Sequence, residues 1–267
     1  MIRMVQSKRI LILFLVVILS LSGCAAKKRK RSPGGGSEKL YAKALSLFNR
    51  GKYQAALEFF EDVKNYYPGS PESLRAETRM ADCHFFLLEY EEAIAIYEEF
   101  RKLHPYHEDI PYILFQIGEA HFKQITSSDR DQTPARRALS NFQYLVENYP
   151  PSIFKEAAEA RIPICRQSLA EHEFLVGKYY YDKGKYRGAV MRFENLVRDY
   201  PDTGLAPKAL FYMGKALMEL SLSDEARAAF LEITRQYPDS EYASKASSIL
   251  RAEMGHLFSS YAPAGIP

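Results

Sequence analysis

Tryptophan is missing from this chain, and cysteine is scarce: only Cys24, Cys83 and Cys165 occur. No two of them form a C-x-x-C pair, and none stands near a histidine at zinc-binding spacing, so the sequence encodes neither a metal knuckle nor a thiol redox motif. H-E-x-x-H, G-x-S-x-G and a phosphate-cradling glycine loop are absent as well. The one glycine run, Gly34 to Gly36, follows no strand pattern and reads as linker. Of the six histidines, His104 and His107 flank Pro105, where a surface turn explains them better than a pair of metal ligands. These absences leave no catalytic residue, no cofactor and no metal to assign. They point to a protein that binds rather than reacts.

A sustained charge of either sign is also lacking. The formal charge of +3 comes from the N-terminus. Without the first 23 residues the chain holds 33 bases and 33 acids, and from Ser37 onward 28 bases against 33 acids. A body of that sign is a poor partner for nucleic acid. The remaining bases cluster in one run from Lys27 to Arg31. The acidic stretch around Glu89, Glu91, Glu92, Glu98 and Glu99 reads as a solvated helix face.

The first 23 residues form a targeting signal: Arg3, Lys8 and Arg9, then an apolar run from Ile10 to Ser22. That run is short of the roughly 20 residues a membrane span needs, and it has the layout of a signal peptide. It ends Leu21-Ser22-Gly23-Cys24, which resembles the lipobox of bacterial lipoproteins. The resemblance implies cleavage before Cys24, with diacylglycerol on its sulfur and palmitate on its new amino terminus. Several acyl chains together make a stable membrane anchor. Ala25 follows the cysteine in place of the aspartate of inner-membrane retention, which leans toward the periplasmic face of the outer membrane. Residues 24–37, with Pro33 and three glycines, then read as a flexible basic tether.

One phrase recurs through the rest. Pro68, Pro105, Pro150, Pro201 and Pro238 each end a similar short segment. Twelve residues before each proline stand Ala56, Ala93, Ala138, Ala189 and Ala226; eight before stand Phe60, Tyr97, Phe142, Phe193 and Phe230. Residues four apart share a helix face, and proline ends a helix. The small residue admits a neighbouring helix and the ring fills the space beside it. Gly51-Lys52-Tyr53 and Gly184-Lys185-Tyr186 mark turns between paired helices, and Gly177 and Gly214 are further small packing sites. This is the pattern of a tetratricopeptide repeat (TPR). It predicts an all-α TPR-type solenoid over residues 38–257, with units near 37–70, 71–107, 108–151, 152–202 and 203–239. A capping helix from Glu241 and a disordered tail over 258–267 follow. The third unit carries an insertion, TSSDRDQT, between its helices, and the fourth has fourteen extra residues that lengthen its first helix, with a kink expected at Pro163. Cys83 and Cys165 fall in first helices of different units, where two buried free thiols are expected. Tyr41, Tyr53, Tyr179 and Tyr180 are candidates for a peptide-gripping face.

Residues 127–203 narrow the resemblance. Ser127-x-Asp129-Arg130-Asp131, Ala135-Arg136, Val146, Tyr149-Pro150, the long helix, Tyr179-Tyr180 and Val197 to Thr203 are similar to the BamD family of β-barrel assembly lipoproteins. The likeness covers the lipobox and all five units; Pro163 and the KKRKRSPGGGS tether depart from it. It implies a scaffold that docks on the POTRA domains of the barrel protein BamA, together with other assembly-complex lipoproteins. It also implies that the scaffold receives unfolded outer-membrane proteins through its N-terminal repeats. Arg192 matches a position linked to the BamA contact, where a guanidinium fork suits a carboxylate partner. A second reading is another periplasmic TPR lipoprotein that serves cell-wall or division partners.

Overall fold

The computed structural model describes residues 35–260. The expected signal segment, Cys24, most of the tether and residues 261–267 lie outside that range. Eleven helices follow one another among the described residues: α1 (Gly36–Asn49), α2 (Tyr53–Tyr66), α3 (Pro71–Phe86), α4 (Tyr90–Leu103), α5 (Ile110–Lys123), α6 (Thr133–Asn148), α7 (Lys155–Asp182), α8 (Tyr186–Asp199), α9 (Ala206–Glu219), α10 (Ser223–Gln236) and α11 (Glu241–Ser260). They make five pairs and a terminal helix, and each packs mainly on its sequence neighbours, as a solenoid requires. α11 runs on to Ser260, three residues past the expected start of a disordered tail.

The proline register explains the helix ends. Tyr67, His104, Tyr149, Tyr200 and Tyr237 cap the second helices, with φ between −129° and −133° and ψ between 47° and 59°. Each precedes a proline, whose ring excludes its predecessor from helical ψ. The chain therefore leaves every second helix in the same direction, and the pairs stack in one sense.

The small and aromatic positions form the core. All five alanines and all five aromatics of the register are fully buried. The rings lie against the small residue of the first helix of their own pair. A Cβ added to Gly118, Gly177 or Gly214 would stand 2.6–2.7 Å from Phe142, Phe193 or Phe230. Ala44 and Ala81 hold the equivalent places in the first two repeats and are fully buried. Burying one such ring is worth about 1.5–3 kcal/mol, so the repeated pair adds a comparable contribution in every repeat.

The two irregular units take the form the sequence suggests. The insertion of repeat three is the loop 124–132 between α5 and α6, and α7 is 28 residues long, twice the length of α8. α7 continues through Pro163 as one helix. Its first half packs on α6 and its second half on α8 and α9.

Candidate interaction site

Helix α7 organises the surface around repeat four. Arg161 reaches back to repeat three, where its Nε donates to Glu119 Oε1 at 2.6 Å and its Nη2 to Oε2 at 3.3 Å. Glu119 is nearly buried, and its hydrogen bond strengthens the proton affinity of the Arg161 guanidinium. Arg166 reaches forward: its Nε lies 2.9 and 3.1 Å from the Asp202 carboxylate oxygens, and its Nη2 donates to the Asp199 carbonyl at 2.9 Å. Asp202 is held below the usual carboxylate range, chiefly by that hydrogen bond. Both pairs are bidentate, the geometry in which arginine and carboxylate fix each other's orientation.

The loop 124–132 is fastened to the same helix. Gln132 is buried and donates to the Ser127 and Arg130 carbonyls at 3.3 and 3.0 Å, while Ser168 of α7 donates to its Oε1 at 3.1 Å. His172 Nδ1 lies 2.7 Å from the Ser128 carbonyl; since a carbonyl only accepts, that nitrogen carries the proton. Asp131 accepts from the Thr133 amide and hydroxyl at 3.0 and 2.8 Å, which anchors the start of α6 and lowers its pKa. Arg130 and Asp129 are left exposed. The insertion is thus a shaped, charged ledge.

Arg192 lies on α8 and is half-buried. Its Nη1 donates to the Glu173 carboxylate of α7 at 3.2 and 3.4 Å. Its Nε is buried and has no acceptor among the described residues. The insertion and Arg192 therefore reach α7 at consecutive residues, His172 and Glu173. Cys24 lies outside the described residues. Tyr53 stacks on Phe86 at 4.8 Å and Tyr41 tilts against Phe60 at 5.5 Å, so both rings are occupied by packing; Tyr179 is largely exposed. His104 and His107 both lie against Phe100. Cys83 and Cys165 are free and buried, and burial pushes each thiol up to about 12. No helix of the described residues is long and apolar enough to cross a membrane.

Sequence reasoning missed the polar node of repeat two. Asp82 is 1% exposed. It accepts from the Tyr97 hydroxyl, from Tyr112 at 2.6 Å and from Arg79 Nη1 at 2.7 Å. Gln116 extends the chain by donating to the Tyr112 oxygen at 2.9 Å. Burial, then the Asp82 charge, pushes both phenols well above their ordinary range. The signal was available: Asp82 lies between Ala81 and Cys83, both core residues, and Tyr97 is the one hydroxylated ring in the aromatic register.

Comparison with known proteins fits this architecture. Residues 34–231 match the family described as YfiO, outer membrane lipoprotein. A protein of Rickettsia prowazekii, named outer membrane protein assembly factor BamD, is 27% identical over 243 residues, covering 91% of this chain and 97% of the relative. Proteins of the same name from Caulobacter vibrioides and from Neisseria meningitidis serogroup A are also 27% identical; each covers 85% of this chain, and the chain covers 76% and 91% of them. Since the family match spans most of the chain, including all of the first four repeats, this protein belongs to the YfiO (BamD) family of outer membrane lipoproteins.

Proposed function

We propose that this protein is a scaffold of outer-membrane β-barrel assembly, held on the periplasmic face of the outer membrane by acyl chains on Cys24. It works by binding. Its C-terminal repeats dock on the POTRA domains of a BamA-type barrel protein, and its N-terminal repeats receive unfolded outer-membrane proteins. The observation that carries this reading is the family match over residues 34–231, with a relative named an assembly factor of which the chain covers 97%.

Arg192 gives the docking reading a physical form. It is positioned by Glu173 through Nη1, and about a third of the side chain stays exposed, so a partner carboxylate can meet the exposed part of the guanidinium. Co-purification of the full chain in mild detergent tests the assembly role: a BamA-type protein should come down with it. Recovery of cell-wall or division proteins in its place would overturn the assignment. With purified POTRA domains, Arg192→Glu should weaken binding by about 2–5 kcal/mol, with circular dichroism as the control for folding. Glu173→Gln, which frees Arg192 without reversing its charge, should weaken it less. Normal binding by a folded Arg192→Glu variant would remove this residue from the interface.

A further inference from the structure

In the C-terminal part, α9 touches both α7 and α11 directly, and no two second helices approach each other to a comparable extent. An array whose members close up on one side curves toward that side, so the first helices line its inner face. Repeat register picks out one inward position, the residue after the small packing site: Asp82, Glu119, Lys178 and Lys215 in repeats two to five. The two acids are nearly buried and are consumed internally, by Arg79 and Arg161. The two lysines are half-exposed and do something else.

Lys178 Nζ lies 5.5 Å from the Tyr212 ring centre and 6.0 Å from that of Tyr181. Lys215 Nζ lies 5.6 and 5.9 Å from Tyr181 and Tyr212. Lys208, two turns earlier on α9, sits 4.4 Å over Phe174. Phe174 and Tyr181 in turn pack on Tyr212, at 5.7 and 5.6 Å between ring centres. Three ammonium groups thus rest on one continuous aromatic platform, at distances where ring faces attract cations. Lys178 is paired with Asp182. Lys208 and Lys215 form no ion pair among the described residues, although Lys208 acts electrostatically on Glu241. Lys178 and Lys215 share the same two rings, and of the two only Lys178 has a carboxylate beside it, so Lys215 is left to take an anion from elsewhere.

We propose that the inner face of repeats four and five binds an extended acidic segment of a protein partner, its carboxylates taken by Lys208 and Lys215 and its backbone lying over Phe174, Tyr181 and Tyr212. Charge complementarity selects this occupant. The body as a whole carries more acid than base, so a cationic inner face is a local reversal, and its aromatic floor suits a polypeptide. Lys208 and Lys215 are seven residues apart, about 10 Å along a helix. That spans about three residues of extended chain, so acidic residues two to three positions apart fit best. This proposal does not rest on the assembly role.

The test uses the full chain in mild detergent and a fluorescein-labelled peptide alternating Glu with Ser and Tyr, read by fluorescence anisotropy. A second peptide carries Gln for every Glu. The Glu peptide should bind at least about tenfold more tightly than the Gln peptide, and the gap should narrow with added salt. Lys208→Gln with Lys215→Gln should remove most of that preference, and Lys208→Arg with Lys215→Arg should keep it. Lys52→Gln with Lys102→Gln, an equal charge change on exposed positions elsewhere, should leave it intact. Equal affinity for both peptides overturns the proposal without any variant. So does an equal loss in the Lys52/Lys102 control, which would mean diffuse charge, or binding to phosphatidylglycerol vesicles with none to the peptide, which would mean a lipid surface.

Discussion

Repeats two and four obey the same register and are built with different chemistry. Each has its buried alanine, Ala93 or Ala189, and its buried ring, Tyr97 or Phe193. In repeat two the ring carries a hydroxyl, and the helix opposite supplies a buried carboxylate to receive it. The helices meet over Ala81, and the turn between them is closed by Leu88 at φ 65°. In repeat four the ring is plain, the helices meet over Gly177, and Gly184 closes the turn at φ 69°. The place of Asp82 is taken by Lys178, which turns to the inner surface. The register constrains volume and phase and leaves polarity free. Repeat two spends that freedom on an internal polar node, repeat four on its surface.

The largest effect should come from breaking the node. Asp82→Ala leaves two phenols without an acceptor and Arg79 without its partner, and should cost about 2–4 kcal/mol in denaturant unfolding. Pairing it with Tyr97→Phe, which makes repeat two resemble repeat four, should cost less than the sum of the single changes, because the hydroxyl and carboxylate exist for each other. Strict additivity would mean they do not interact. Gly177→Ala attacks repeat four at its own weak point. The new methyl would meet Phe193 at 2.7 Å, and overpacking of this kind costs about 1–3 kcal/mol; an unchanged thermal midpoint would show that the helices can separate freely. The smallest effect has the opposite sign. Leu88 is exposed and left-handed, so Leu88→Gly, which gives repeat two the turn residue of repeat four, should stabilise by about 0.5–1 kcal/mol. Destabilisation would mean that the leucine packs against something in solution.

The legible parts of the fold were those that recur. Five prolines fix five helix ends, and five Ala–aromatic pairs fix five interfaces, so phase and length could be read from spacing alone. Insertions relative to that spacing located the loop 124–132 and the long α7. Gly118 escaped notice because the insertion in repeat three shifts it out of the simple count. The Asp82 node was legible only as a carboxylate among core residues and a lone hydroxylated ring; that the two meet, 15 positions apart, was not. The arginine pairs of α7 join residues 36 and 42 positions apart, and nothing local marks which carboxylate meets which guanidinium. Arg192 was picked out by resemblance to a family, and its link to Glu173 became visible only once α7 and α8 were side by side.

Helix α7 has a consequence for how the chain comes into being. At 28 residues it is about 42 Å long, and two arginines in its first half point opposite ways, to Glu119 in repeat three and to Asp202 at the border of repeat five. The outer wall of α6 is covered by α7. Ordinary arrays can settle unit by unit as they emerge. This one has at its centre a single strut, twice the length of its partner helix α8 and tied at both borders.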